Sequence, residues 1–364
     1  MIRILIVDDS RTIAMLLTAI FEKEPDMEVV GVAPNGKVAI EMTLELKPDI
    51  ITMDIRMPIM NGFEATQEIM DVQPTPILVV SASVNDNELK IAFNAIESGA
   101  LAVIEKPPGL EGDDYIKMHS SLMNHIRALS SVAVKRILPK YKDTQSIHLR
   151  NADGSLTNIR RGQAQNDLVA LGTSVGGPVV LGQILSSLPS DFPIPIVIVQ
   201  HIASGFIDGL VSWLNTSCRL IVKIAEEGEV LQAGVVYLGP KDTHFRLKRN
   251  GKDIFVSLSD TPTDSLFMPS INELFTSIAK ICPGHAIAGL LTGMGDDGAD
   301  ALLELHKQNC HTFIQDEETC VVFGMPGVAK QLGAHDMELA EDQISNYILE
   351  NLNHIKDSRA RKRK

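Results

Sequence analysis

Residues 2–10 read Ile-Arg-Ile-Leu-Ile-Val-Asp-Asp-Ser, an apolar, β-branched run that stops on two acids. A short run of this kind is a buried strand feeding a helix. Outward from it the alternation repeats through TIAMLLTAIFEKE, MEVVGVA, GKVAIEMTLELK, DIITMD, FEATQEIMDV, PILVVSA, NELKIAFNAIESGA and LAVIEKP. Strands separated by helices predict βαβ units and a flavodoxin-like, five-stranded parallel sheet, and strands that are apolar throughout fit burial on both faces.

Between residues 129 and 166 the pattern decays into polar sequence with a basic tilt, including Lys135, Arg136, Lys140, Lys142, Arg150, Arg160 and Arg161. This is read as a linker. A second alternation starts at DLVALGTS and runs through PIPIVIVQH, GVVYLG, a hairpin at Asn250–Gly251, HAIAGLLTG and HTFIQDE. It predicts a C-terminal, doubly wound α/β domain of Rossmann-like type. The expected boundaries are 1–128 for the first domain, 129–166 for the linker, 167–356 for the second domain and 357–364 for a basic tail.

A chain of 364 residues with 45% hydrophobic and 22% charged residues can bury two cores. Its net charge of −13 and pI near 5.2 argue against a DNA-binding output domain, since phosphate binding needs clustered Lys and Arg, and no nucleic-acid partner is expected. The opening MIRILIVDDS has no signal-peptide core, and PIPIVIVQHI is too short to cross a bilayer. A cytoplasmic protein with no direct membrane insertion is therefore expected. Cys218, Cys282, Cys310 and Cys320 are widely spaced with no CxxC pair, which points to reduced thiols rather than a metal site.

In a parallel sheet, functional groups collect at the carboxyl ends of the strands. Asp8 and Asp9 end the first strand, Asp54 the third, Ser81 the fourth and Lys106 the fifth. Three carboxylates at one edge repel unless a hard cation joins them, and oxygen ligands suit Mg²⁺. With its charge screened, Asp54 could attack phosphorus and become an acyl phosphate. Lys106 would pair with the phosphoryl oxygens, and the Ser81 hydroxyl would donate to them as a switch. Each residue alone is explained as a cap or a loop residue, but five at successive strand ends are not.

In the second half, Gly172-Thr173-Ser174-Val175-Gly176-Gly177 lies between a strand and a helix. A serine on such a turn projects from the sheet edge, and the helix N-terminus offers N–H groups to an anion. The competing reading is a phosphate-binding turn with Ser174 as an N-cap. His201 ends the next strong strand, at the same edge, and can serve as the base. His285 starts a strand and belongs at the opposite edge, while His244 and His311 sit near turns and are expected to be solvated. For the orienting acid, LLTGMGDDG offers Asp296 and Asp297, with Asp300 nearby, and spacing does not choose between the first two.

The segments VDDS, MDIRMPIMNG, VVSAS and EKP resemble the receiver domains of two-component response regulators. The resemblance implies Asp54 as phospho-acceptor, Asp8 and Asp9 as the Mg²⁺-side acids, Ser81 as switch and Lys106 as the phosphate-binding lysine. LGTSVGGP, VQHIASGF, LTGMGDDGAD and QDEETCVVFGMP resemble the catalytic domain of the chemotaxis-type protein-glutamate methylesterases and protein-glutamine deamidases. That second resemblance implies Ser174 as nucleophile, His201 as base and Asp297 as acid. It also implies oxyanion donors around Met294 and the turn of Val175 and Gly176, and hydrolysis without a cofactor. The implied partners are a chemosensory sensor histidine kinase as phosphodonor and methyl-accepting chemoreceptors as substrate. An alternative is a phosphorylation-gated serine esterase for a different ester. The chain departs from the family patterns at Val103, where an aromatic switch is common, at Val175, where threonine is usual, in PSINELF, where PSVDxLF is usual, and at Phe267, where a basic residue or histidine is common.

Overall fold

The computed structural model describes residues 1–81, 93–107, 113–132, 134, 166–261 and 267–352. The segment after Ser81, nearly all of the expected linker and the basic tail lie outside the described residues. The chain divides into two compact units, one N-terminal and one C-terminal to about residue 140. Among the described residues no helix is long and apolar enough to cross a membrane.

The first unit has strands β1 (Ile2–Val7), β2 (Met27–Ala33), β3 (Ile50–Met53), β4 (Ile77–Ser81) and β5 (Ala102–Glu105). They form one parallel sheet in the order β2-β1-β3-β4-β5. This is the flavodoxin-like winding expected from the sequence. Helices α1 (Arg11–Phe21), α2 (Gly36–Leu46), α3 (Gly62–Val72), α4 (93–97) and α5 (Asp113–Leu129) accompany it. Ile50, Ile51 and Ile77–Val80 are almost fully buried, as two-sided coverage requires. Each of the first three helices starts on a polar cap: Ser10, Asn35 and Asn61, the last in a capping box with Glu64.

The second unit holds seven parallel strands: β6 (Leu168–Thr173), β7 (Ile196–Gln200), β8 (Ile221–Ile224), β9 (Val235–Leu238), β12 (Ala286–Leu290), β13 (His311–Gln315) and β14 (Met337–Leu339). Their order is β14-β13-β12-β6-β7-β9-β8. The sheet thus grows from β6 in both directions, through β7 early in the chain and through β12 late. Between them lies an antiparallel hairpin, β10 (His244–Asn250) and β11 (Asp253–Ser259), turning at Asn250–Gly251 as expected. Helices α6 (Gly177–Ser187), α7 (Ile207–Ser217), α8 (Ile271–Ile281), α9 (Ala299–Lys307), α10 (Met325–Leu332) and α11 (Ile344–Asn351) complete the unit. The hairpin docks on α8 through Leu247 N–H, which donates to Ser277 Oγ at 2.9 Å, and through an Arg246–Glu273 ion pair at 2.7 Å. The four cysteines are free thiols.

Two histidines depart from expectation. His244 and His311 are buried rather than solvated, because each opens a strand whose partners cover it. Burial is the main cause that holds the His244 imidazole below its usual pKa.

Candidate active site

Two sites emerge, one at the carboxyl edge of each sheet. In the first unit Asp8 and Asp54 are buried and Asp9 is exposed, and each offers a carboxylate oxygen within 4.8 Å of the others. Lys106 Nζ lies 2.8 Å from Asp8 Oδ2 and 2.8 Å from Asp54 Oδ2, so its single positive charge is shared between the two buried acids. Asp54 Oδ1 accepts from Ile55 N–H at 2.7 Å, and Asp8 Oδ1 from Ser10 N–H at 2.9 Å. These bonds orient the carboxylates toward one another. Burial pushes the Asp54 carboxyl up to about 6, against the pull of Lys106 and with help from the Asp8 charge. Burial pushes Lys106 down, but its hydrogen bonds to Asp54 and Asp8 outweigh this and hold its pKa above the usual value. An all-oxygen cluster of surplus negative charge fits a hard divalent cation such as Mg²⁺. Ser81 is buried at the end of β4, beside β5 and one residue before Lys106 in the ladder.

In the second unit, three neighbouring strands deliver Ser174, His201 and the Asp297 loop to one edge. Thr173 pairs with Gln200 and Gly172 with Leu290, so the next residues of β6, β7 and β12 leave the sheet together. His201 N–H donates to Thr173 O at 2.9 Å and Ser174 N–H to Thr292 O at 3.0 Å. The Gln200 amide then spans the gap, with Nε2 donating to Ser174 O at 2.7 Å and to His201 O at 2.8 Å. The serine-bearing turn is thereby tied to the histidine-bearing strand end.

The turn itself needs glycine. Gly176 has φ +79° and a Cβ there would lie 2.6 Å from Val321 Cγ2, so both conformation and space exclude a side chain. Gly293 is equally confined, since its Cβ would fall 2.6 Å from that of Ser174. Helix α6 starts without a side-chain cap. Among the described residues the N–H groups of Val175, Gly176 and Met294 donate to no acceptor. They leave three backbone donors around Ser174 for an anion.

His201 Nε2 donates to Asp297 Oδ2 at 2.9 Å. Among the described residues His201 Nδ1 is buried without a partner, and Ser174 Oγ forms no hydrogen bond with it. Asp297 is held by more than the histidine. Its Oδ1 accepts from Ser270 Oγ at 2.8 Å and Asn272 N–H at 3.1 Å, and its Oδ2 from Ile271 N–H at 2.7 Å. The carboxylate therefore sits on the N-terminus of α8, where the helix dipole favours negative charge. Burial pushes its pKa up, but the bond and charge of His201 and the two helix N–H groups outweigh burial and hold it below the usual value. Asp296, the alternative acid, is exposed, as is Asp300.

Three contributors were not assigned roles from the sequence. Ser270 carries a signal that could have found it: a serine three residues before Glu273 marks a helix cap. Gln200 and Phe267 carry none, because their roles come from packing between segments far apart in the chain. Phe267 stacks on His201 with ring centroids 4.2 Å apart and planes 9° from parallel.

Residues 169–348 match the family described as CheB methylesterase, and residues 4–112 match the response regulator receiver domain. The chain is 42% identical to protein-glutamate methylesterase/protein-glutamine glutaminase 2 of Methanospirillum hungatei JF-1, covering 96% of this chain and 97% of that one. It is 40% identical to the protein-glutamate methylesterase/protein-glutamine glutaminase of Nitrosospira multiformis, covering 95% of each. The CheB methylesterase catalytic domain of Thermotoga maritima superimposes with a TM-score of 0.50 at 36% identity, over 51% of this chain and 98% of that domain.

Proposed function

The chain belongs to the protein-glutamate methylesterase/protein-glutamine glutaminase family, and from that premise we propose that Ser174, His201 and Asp297 hydrolyse glutamyl methyl esters of chemoreceptors under control of phosphorylation at Asp54. The observation that carries the reading is the 2.9 Å bond from His201 Nε2 to an Asp297 carboxylate held ionised on α8, beside a serine ringed by unspent N–H groups.

Asp297 fixes the tautomer by accepting the hydrogen bond of the Nε2 proton, which stays on the ring and leaves Nδ1 as the basic nitrogen. Nδ1 takes the proton of Ser174 Oγ as that oxygen attacks the γ-carbonyl of the methylated glutamate. The oxyanion is met by the N–H groups of Val175, Gly176 and Met294, a type of contact for which one donor is worth about 3 kcal/mol of barrier. The imidazolium then returns its proton to the departing methanol. Water, deprotonated at Nδ1, cleaves the glutamyl-serine ester and restores Ser174. A side-chain amide in place of the ester gives deamidation by the same steps, with ammonia leaving. Only side chains and backbone of this domain enter the hydrolysis.

In the receiver, Asp8, Asp9 and Asp54 would hold Mg²⁺, whose positive charge would screen the acids against an incoming phosphoryl group. Asp54 accepts that group, Lys106 moves its charge from the carboxylates to the phosphoryl oxygens, and Ser81 donates to them. The phosphodonor is a sensor histidine kinase of a chemosensory system, and kinase and receptor are both met in the cytoplasm. The domain limits we assign are 1–128 and 167–356, joined by 129–166 and followed by the tail 357–364. Methanol release from a methylated receptor fragment, measured with and without a small phosphodonor in the native chain and in Asp54→Asn, tests the whole reading. Release that is unaffected by the phosphodonor in both would overturn the regulatory half, and absence of release would overturn the esterase half.

A further inference from the structure

Given the assignment of His201 as base, we propose that Phe267 is a positioning residue of this esterase, holding the plane of the His201 ring and stabilising the imidazolium formed when Ser174 gives up its proton. Asp297 grips His201 at a single atom, Nε2, which leaves the ring free to pivot about that bond. The phenyl ring removes this freedom, because it lies flat on one imidazole face with centroids 4.2 Å apart and an interplanar angle of 9°.

The flatness bears on charge as well as position. Two neutral rings prefer tilted or well offset contacts, since their negative faces repel. A cation over the same face is attracted. The stacked phenyl face is thus placed to stabilise the positive charge that the imidazole takes on as Ser174 attacks. Phe267 is not there for its own burial: 37% of it is exposed, beside Met268 at 36%, whereas the His201 side chain retains only 9%. It spends its buried face on the imidazole. Nothing polar on Phe267 competes for Nδ1, so the basic nitrogen stays available to Ser174.

The test compares full-length Phe267→Leu, Phe267→Tyr and the native chain in methanol release from a methylated receptor fragment. Phe267→Leu keeps apolar cover and loses the aromatic face, and should lower kcat about fivefold with KM nearly unchanged. Phe267→Tyr restores that face and should return kcat to within about twofold of the native value. In a His201→Ala background the leucine substitution should have no further effect, since the ring acts through the imidazole. Unchanged kcat in Phe267→Leu, a rise in KM alone, or an equal loss in the tyrosine variant would each overturn the proposal. Failure of the triad reading is seen separately, as turnover that survives in Ser174→Ala.

Discussion

The Ser270 hydroxyl donates to Asp297 Oδ1 at 2.8 Å while accepting from Glu273 N–H at 3.4 Å, so one serine joins the cap of α8 to the acid that orients His201. Ser270→Ala should cost about 1 kcal/mol of stability, the usual worth of an N-cap. It should also lower kcat several-fold, because the carboxylate loses one of its fixed donors. Thermal unfolding and methanol release measured on the same variant check this. Lowered stability with native kcat would show that the serine serves the helix alone.

Ser174→Ala, His201→Ala and Asp297→Asn should each remove most turnover, with losses that do not add in combination because the three act as one unit. Asp296→Asn should be mild, since that side chain is exposed. Steady-state methanol release on the four variants decides it. A larger loss for Asp296→Asn than for Asp297→Asn would reassign the acid.

Asp54 gives a pH signature. Its pKa, raised to about 6 from an ordinary 3.8, means that the folded receiver holds a proton that the unfolded chain has released between those values. The metal-free receiver therefore loses stability as pH rises from about 4 to about 6 and levels off above that. Mg²⁺ competes with this proton, so the rise in Tm on adding Mg²⁺ should be larger at pH 7 than at pH 5. Equal shifts at the two pH values would argue against a carboxylate cluster as the metal site.

Asp297 runs the other way. Its depressed pKa contributes stability that is present above 3.8 and is lost as pH falls through the lower folded value. The stability gap between the native chain and Asp297→Asn should accordingly be widest near neutrality and shrink below pH 4. Denaturant titrations at pH 7 and pH 3.5 measure it, and a gap that grows on acidification would contradict the ionised helix-cap role.

Lys106→Met leaves Asp8 and Asp54 facing each other without their shared cation. Breaking a buried pair of this kind costs on the order of 3 kcal/mol. Added Mg²⁺ should recover much of that loss, because it supplies the missing positive charge. Thermal unfolding with and without the metal is the check, and an unrecovered loss would mean that the lysine is needed for packing.

Much of this was legible because burial on both sheet faces leaves a strong mark: ILIV, IIT and IVIV are apolar without alternation, and the residue that ends each run must sit at the functional edge. The choice between Asp296 and Asp297 was not legible from spacing, since adjacent turn residues point apart and only the approach of α8 selects one. Family resemblance selected Asp297 at that point, and the helix N–H groups give the physical reason. His244 and His311 are buried against expectation for a related reason, because the packing of α8 on β10 and the pairing of β13 with β12 join segments distant in the chain. Phe267 was visible as a departure from pattern, but its contact joins segments 66 residues apart, which no local signal encodes.

Strand β12 lies beside β6 in space, yet β7 is made first, and Asp297 follows His201 by 96 residues. On the ribosome, Ser174 and His201 emerge 27 residues apart while Asp297 is still unmade. A polypeptide that ends anywhere between residues 202 and 296 carries Ser174 and His201 but lacks the carboxylate that holds the His201 ring.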